Sequence, residues 1–529
     1  MGKKLFLDKA LEQIPKILTL LDRNPHSPTY GCFDRNYWHY KIIDFPSGMA
    51  QEFVYPLALA YSIDVPENPY YRQDSIREWV IAGMHYALKS AHSDGSCDDY
   101  FPFEKAGGAT AFSLLACLQG YRLLELDNKP LLDFFKKRAD WLANHEESGR
   151  LANHQALIIL CLDLLSEILE TKKWNDLREK KLKKLLSWQN SEGWFQEYEG
   201  CDPGYHTLTI STLAEVYQLN PDARIKSALE NAIRFASHFI HADGSFGGEY
   251  GSRNTYNFFP HGFELAGKWM PEALSINDRY LKGLESGLKP AYEDDHIIGH
   301  HLWNYLLAWR DFKDERPGTE YPAEGRHYFP NAKLLIDRRE ESELFLALNK
   351  GGVFKLFREG ELVASDTQVS ILMDHQKHKN AVVHLIDDFD VIVDEDRIQI
   401  SGQFAWANHT LPEPAKYLVF RVFMLTLGRF FSDFVRKILQ KILITGRNEA
   451  PFSFVRTLTY EKGEWRVKDE IISDRWDNVK SIGIGSSQAS IYVVMSKTYQ
   501  HGQLERWTDL TAEIRDLKQG ESLVIERTV

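Results

Sequence analysis

Three short segments hold the residues best suited to chemistry. Leu151-Ala152-Asn153-His154 sets an amide beside an imidazole at the start of an apolar-periodic stretch. Asn is also a favoured helix N-cap, so this pair alone fits a purely structural role. Glu197-Tyr198-Glu199-Gly200-Cys201-Asp202-Pro203-Gly204-Tyr205-His206 carries two glycines and a proline, which force a tight loop and present Tyr205 and His206 at the next helix start. Its plain alternative is capping by Asp202 with a buried tyrosine. Gly247-Gly248-Glu249-Tyr250-Gly251-Ser252-Arg253-Asn254-Thr255-Tyr256, continuing to His261, adds an arginine and two tyrosines. Together these are the groups needed to remove a proton alpha to a carboxylate. An Asn, His or Arg neutralises the carboxylate, where the enolate-like charge develops. A His or Tyr takes the proton, and a Tyr can protonate a departing glycosidic oxygen. Tyrosine serves as base only if positive charge lowers its pKa, and Arg253, His154 and His206 are the candidates to supply it.

The surrounding elements must bring these segments together. The first 315 residues read as helix, with apolar residues at i, i+3, i+4 and i+7 in Ala111 to Leu126, Ala156 to Leu169, Leu208 to Leu219 and Ile225 to Ile240. A loop rich in Gly and Asp recurs between them: Ser93-Asp94-Gly95-Ser96, Ser191-Glu192-Gly193-Trp194 and Ala242-Asp243-Gly244-Ser245. Weaker copies stand at Glu147-Ser148-Gly149-Arg150 and Glu293-Asp294-Asp295-His296. A period of about 50 residues is that of a helical hairpin. Such hairpins bury their apolar faces only against one another, so 1–315 is expected to form an incomplete (α/α) toroid whose recurring loops meet on one face.

After Arg316-Pro317-Gly318 short β-rich runs take over: Leu344 to Leu348, Val353 to Phe357, Ala381 to Ile386, Val391 to Val393, Ile398 to Ile400, Ser453 to Tyr460 and Ser490 to Met495. Residues 316–529 are therefore expected to be an antiparallel β-sandwich domain, making the chain a multidomain α and β protein. Leu427 to Ile444 breaks the pattern. Its apolar residues fall at helical spacing and Arg429, Arg436, Lys437 and Lys441 lie opposite, predicting a basic amphipathic helix near 427–444. Such a helix packs on the sandwich or makes peripheral contact with an anionic membrane.

The layout resembles the heparinase II/III-like and alginate-lyase-like group of polysaccharide lyases, which pair an α/α toroid with an antiparallel β domain. In that group an Asn-His pair opens one toroid helix and a tyrosine follows in a Glu-Gly…Gly-Tyr-His loop. Asn153-His154 and Glu199-Gly200 with Gly204-Tyr205-His206 carry the resemblance here. It implies that Asn153 neutralises the carboxylate, His154 is the base or its partner, and Tyr205 is the acid or acid/base. Arg253 and Tyr256 are implied as supporting groups from the next loop, and with Glu199, His206 and His261 they are the substrate-binding candidates. One departure is visible. Many relatives carry a catalytic histidine in a His-x-His-x-Asp strand motif, whereas His375, His378 and His384 have different spacing and His409 stands apart.

Composition bounds the rest. Hydrophobic residues at 43% and charged residues at 26% describe an ordinary globular chain. A net charge of -12 provides no field for nucleic acid. Five cysteines without a CxxC pair suit a reducing compartment, and Met1 to Asp8 lacks an apolar signal-peptide core, so a cytoplasmic location is expected. His296 and His300 have zinc-ligand spacing but no evident third ligand, so neither metal nor cofactor is expected. The expected activity is β-elimination on a uronate-containing, acidic polysaccharide. The alternatives are a C5-epimerase, or a non-lytic protein of surface-polysaccharide assembly at the membrane.

Overall fold

Two kinds of helix alternate through the helical region, and their sequences say which is which. Gly107–Leu123, Ala152–Ile168 and Pro203–Leu219 are rich in Ala, Leu, Ile and Thr and are buried nearly all round over most of their length. Lys129–Asn144 and Ala223–Ala236 bury only a stripe, such as Ile225, Ala228, Leu229, Ala232 and Ile233. The first kind forms an inner ring and the second an outer one, as amphipathicity dictates. The computed structural model describes residues 2–529 apart from 199, 289, 293–297, 319–322, 375–378, 409–412, 441–447, 486–495 and 499–505.

The inner helices neighbour one another in chain order, from Val54–Ser62 to Ile298–Arg310. Five of them are followed by an outer partner. Ile298–Arg310 is not; it packs on Val54–Ser62, which brings the last inner helix back to the first, and Gly2–Leu11 packs against it and Glu272–Glu285, so the hairpin series forms an α/α toroid. The recurring loops share one geometry. His92, Asn190 and His241 each donate their backbone N–H to the carbonyl four residues on, at 2.9, 2.8 and 2.9 Å. The glycine inside each loop, Gly95, Gly193 or Gly244, has φ of 91°, 105° or 82°. A Cβ on Gly193 would stand 2.4 Å from the Asn231 carbonyl oxygen of the next outer helix. Only glycine satisfies both the left-handed backbone and that contact.

The strand-rich region forms two main sheets. Gly325–Phe329, Leu334–Arg339, Ser342–Ala347, Val353–Arg358 and Glu361–Asp366 form an antiparallel meander. A nine-stranded antiparallel sheet is centred on Arg397–Asn408, Glu449–Glu461 and Glu464–Ser473. Side chains alternate across the meander as pleating requires. Leu334, Ile336 and Phe345 join the toroid core, while Leu335, Leu344 and Phe354 face the second sheet. The meander is thus the shared layer between ring and sandwich.

Three expectations need correcting. The run Ala381 to Ile386 is strand only through Val382. Helix does not fill the region before 315, because Pro290–Tyr292 pairs as a strand with Ser496–Thr498. The amphipathic segment is not one helix from 427. It is Pro414–Thr426, a 3-10 turn at Gly428–Phe430, and Ser432–Gln440, while 441–444 and the expected strand 490–495 lie outside the described residues.

Candidate active site at the inner-helix N-termini

Asp202 is the hinge of the arrangement. Its Oδ1 caps Pro203–Leu219 by accepting from Tyr205 N at 2.9 Å, and Oδ2 accepts from Arg253 N at 2.9 Å. One carboxylate therefore fixes Tyr205 at a helix start and the arginine loop beside it. The capping role and the placement of Tyr205 are the same fact, not alternatives. The Arg253 guanidinium lies 4.1 Å from the Tyr205 ring centroid and 4.8 Å from that of Tyr198, a cation held between two aromatic faces. Lys350 holds the same loop from the sandwich side, donating to the carbonyls of Glu249 and Gly251 and to Asn254 Oδ1.

Asn153 is not a cap, since its helix begins at Ala152. Its Nδ2 donates to both oxygens of Glu197 at 2.9 Å, and Arg253 Nη1 ion-pairs with Glu197 Oε1. Glu197 is positioned by an antiparallel bridge to Leu151, immediately before the Asn153 helix. Burial pushes the Glu197 carboxyl above its ordinary range, against the lowering effect of Arg253 and His154. His154, the next residue, has a carboxylate partner of its own. Its Nδ1 meets Glu147 Oε2 at 2.9 Å, and Glu147 also takes Arg436 Nη2 at 2.8 Å. Burial works to raise Glu147, but His154 and Arg436 outweigh it and hold the carboxyl well below the carboxylate range. His154 is oriented by a carboxylate on one ring nitrogen, the arrangement that leaves the other for proton transfer.

Tyr205 departs from one expectation. Burial, the largest effect, together with Glu197 and Asp202 raises its pKa despite Arg253. The hydroxyl is therefore an acid at neutral pH and not a ready base. His206 cannot supply positive charge, because it is buried, bonds Ala232 O through Nε2 at 3.0 Å, and is pushed down to about 4 by desolvation.

Asn153, Tyr205 and Arg253 gather about Glu197, with His154 near enough to lower its carboxyl, while the described candidates His206, Tyr256 and His261 are engaged elsewhere. Tyr256 is turned toward the sandwich, its hydroxyl donating to Glu249 with Lys355 Nζ 4.7 Å from its ring centroid. His261 sits at the other end of the ring, 2.8 Å from Asp311 and 3.5 Å from Glu215. From Tyr205 to Glu215 is about 15 Å of helix. There His261 lines a separate pocket of about 350 Å³ with Tyr55, Arg122 and Arg310. Glu199, His375, His378, His296 and His409 lie outside the described residues. His384 is buried two residues before Ile386, whose Cδ1 is 3.8 Å from where a Cβ on Gly200 would stand. His300 Nδ1 pairs with Glu52 at 3.0 Å.

Sequence reasoning missed Glu147, Glu197, Tyr198 and Arg436. Glu197 and Glu199 flank Tyr198 symmetrically in the sequence, and nothing in their spacing says which carboxylate turns inward. The usable signal was that Glu147 belongs to a weak copy of the recurring loop, whose members sit at inner-helix starts.

The fold is that of an α/α toroid joined to an antiparallel β-sandwich. Among solved structures, the chain is similar to xanthan lyase from Paenibacillus, with 10% identity and a TM-score of 0.51 over 91% of this chain and 46% of that one. It is also similar to chondroitin AC lyase from Streptomyces coelicolor, with 9% identity, a TM-score of 0.49, and 91% and 68% of the two chains covered. A third is heparinase III, with 10% identity, a TM-score of 0.40, and 82% and 64% covered. These are polysaccharide lyases with an α/α toroid. The chain spans less than half the length of the xanthan lyase chain, and at this identity what is shared is the fold. No family model and no curated protein matches the sequence.

Proposed function

We propose that the chain acts on a uronate-containing, acidic polysaccharide by β-elimination. His154 takes the C5 proton on the ring nitrogen not held by Glu147. Asn153 and Arg253 neutralise the uronate carboxylate as charge moves onto it. The bond from C4 to the glycosidic oxygen breaks, a C4–C5 double bond forms, and Tyr205 gives its proton to the departing oxygen. The observation that carries this reading is the carboxylate-oriented His154 beside Asn153, with a protonated Tyr205 stacked on Arg253. The similarity to polysaccharide lyases supports the substrate class. A second reading, a glycan-binding protein of surface-polysaccharide assembly at the membrane, is favoured by one observation. Glu197 already occupies both Asn153 and Arg253, the groups a substrate carboxylate would need.

The test is ultraviolet absorbance of the unsaturated uronate, measured on alginate, heparan sulfate, chondroitin and pectate. A rise that falls at least about a hundredfold in Tyr205→Phe is expected. Solvent deuterium entering C5 without elimination would make the protein a C5-epimerase. Binding with neither exchange nor elimination would leave the assembly reading.

A further inference from the structure

More than half of the large apolar side chains exposed among the described residues fall between Pro414 and Gln440. They include Leu418, Val419 and Val422 on the first helix, Phe430 and Phe431 at the turn, and Phe434 on the second; Val419 is 70% and Phe430 67% exposed. The pair is not loosely attached. Met424 and Val435 form a small core with Phe101, Phe420 stacks edge-on against Phe101 at 5.6 Å, and Arg421 pairs with Asp44 at 3.0 Å. Arg436 reaches past this core to Glu147. One face is thus anchored to the toroid while the other stands in water, which a folded protein seldom leaves unexplained.

Charge identifies the occupant. The segment holds five cations and one acid, Asp433, within a chain of net charge -12; Arg421, Arg436 and Lys416 are taken up by Asp44, Glu147 and Glu413. Arg429 and Lys437 flank the exposed phenylalanines, and Arg429 stacks on Phe430 at 4.7 Å. A second copy docked face to face would set these cations against themselves. An anionic lipid headgroup layer complements them, and the phenylalanines suit its acyl boundary. No described helix is long and apolar enough to cross a membrane, so the contact lies in the interface plane.

We infer that the helix pair Pro414–Thr426 and Ser432–Gln440 docks the protein on an anionic bilayer surface. Phe434 and Ile438 point outward one turn apart, while Val435, Arg436 and Leu439 face the toroid. The Glu147–His154 pair consequently sits about one helix diameter, about 10 Å, behind the docked face. The bilayer contact is independent of what the site does with a glycan.

The experiment is flotation of the full chain with vesicles of phosphatidylcholine alone and of phosphatidylcholine with phosphatidylglycerol. Binding is expected only with the anionic lipid and is expected to weaken as salt rises. Phe430→Asp, Phe431→Asp and Phe434→Asp combined, all at exposed positions, should abolish it with the circular dichroism unchanged. Arg429→Gln with Lys437→Gln should weaken it about thirtyfold, the product of two basic contacts with an anionic surface. No flotation with either vesicle, or flotation undiminished in the triple variant, overturns the inference. A concentration-dependent dimer that the triple variant dissolves would also overturn it, assigning the face to a second copy.

Discussion

Glu147 and Glu197 divide the candidate site into two ion-paired halves. Glu147 carries His154 and Arg436, and Glu197 carries Asn153 and Arg253. Under the proposed elimination Glu147 is a positioning residue, because it fixes the imidazole without touching substrate. Glu147→Gln should lower kcat about a hundredfold with KM little changed, since base orientation matters only in the transition state. A merely structural role would lower the unfolding midpoint and leave kcat of the remaining folded protein intact, so steady-state kinetics on folded variant decide. The placement of Asn153, His154 and Tyr205 at helix starts and of Arg253 in a glycine-rich loop was legible in the sequence, because such signals are local. Their carboxylate partners were not. Glu147 and Glu197 come from loops, where an acidic residue reads as solvated unless the fold is known to bury it.

At the scale of elements, legibility followed how far each pattern depends on distant neighbours. The hairpin loops were readable because Gly193 and its equivalents must adopt left-handed backbone wherever the ring is built. Pro414–Thr426 was not, because Tyr417-Leu418-Val419-Phe420-Arg421-Val422-Phe423 is rich in β-branched and aromatic residues, which carry no helical signal. A proline at its first turn and anchoring on Phe101 make it helix instead. The sandwich holds a buried network that no periodicity announces. Arg456 donates to Asp469 at 2.6 and 2.8 Å and to Asp366 at 3.0 Å, and Arg527 reaches both acids at 2.7 Å. Arg456→Met leaves two carboxylates buried with half their countercharge, and should cost about 3–5 kcal/mol in a urea titration of the sandwich. Asp366 meets a desolvation cost that Arg456 and Arg527 more than offset, so its folded pKa is depressed. Its contribution is therefore present above the unfolded value of about 4 and is lost as pH falls below it.

The whole molecule depends on the joint between ring and sandwich, and that joint is built with neutral histidines. His241 bonds Tyr250 Oη at 2.8 Å and Ser245 Oγ at 2.7 Å, and its ring centroid lies 4.5 Å from Phe345 and 4.7 Å from Phe357 of the meander. His238 packs on His327 at 4.5 Å and on Phe329 at 5.3 Å. Burial lowers both, His241 with help from Lys355, Arg279 and Arg338, and His238 to about 4 with help from His327 and Arg338. An unfolded histidine takes its proton near pH 6.5, so below that value the unfolded chain binds protons that the folded joint refuses. Their stabilising contribution is complete above about pH 6.5 and declines as pH falls toward 4. Each group should remove on the order of 1 kcal/mol per pH unit between about pH 6 and 5. Calorimetry across that range should show the Tm falling steadily with acid. The combined variant His238→Gln, His241→Gln should start from a lower Tm and fall less steeply, because two of the groups that refuse the proton are gone. An equal slope in variant and parent would place the acid sensitivity elsewhere and remove the joint as the point where acid opens the protein.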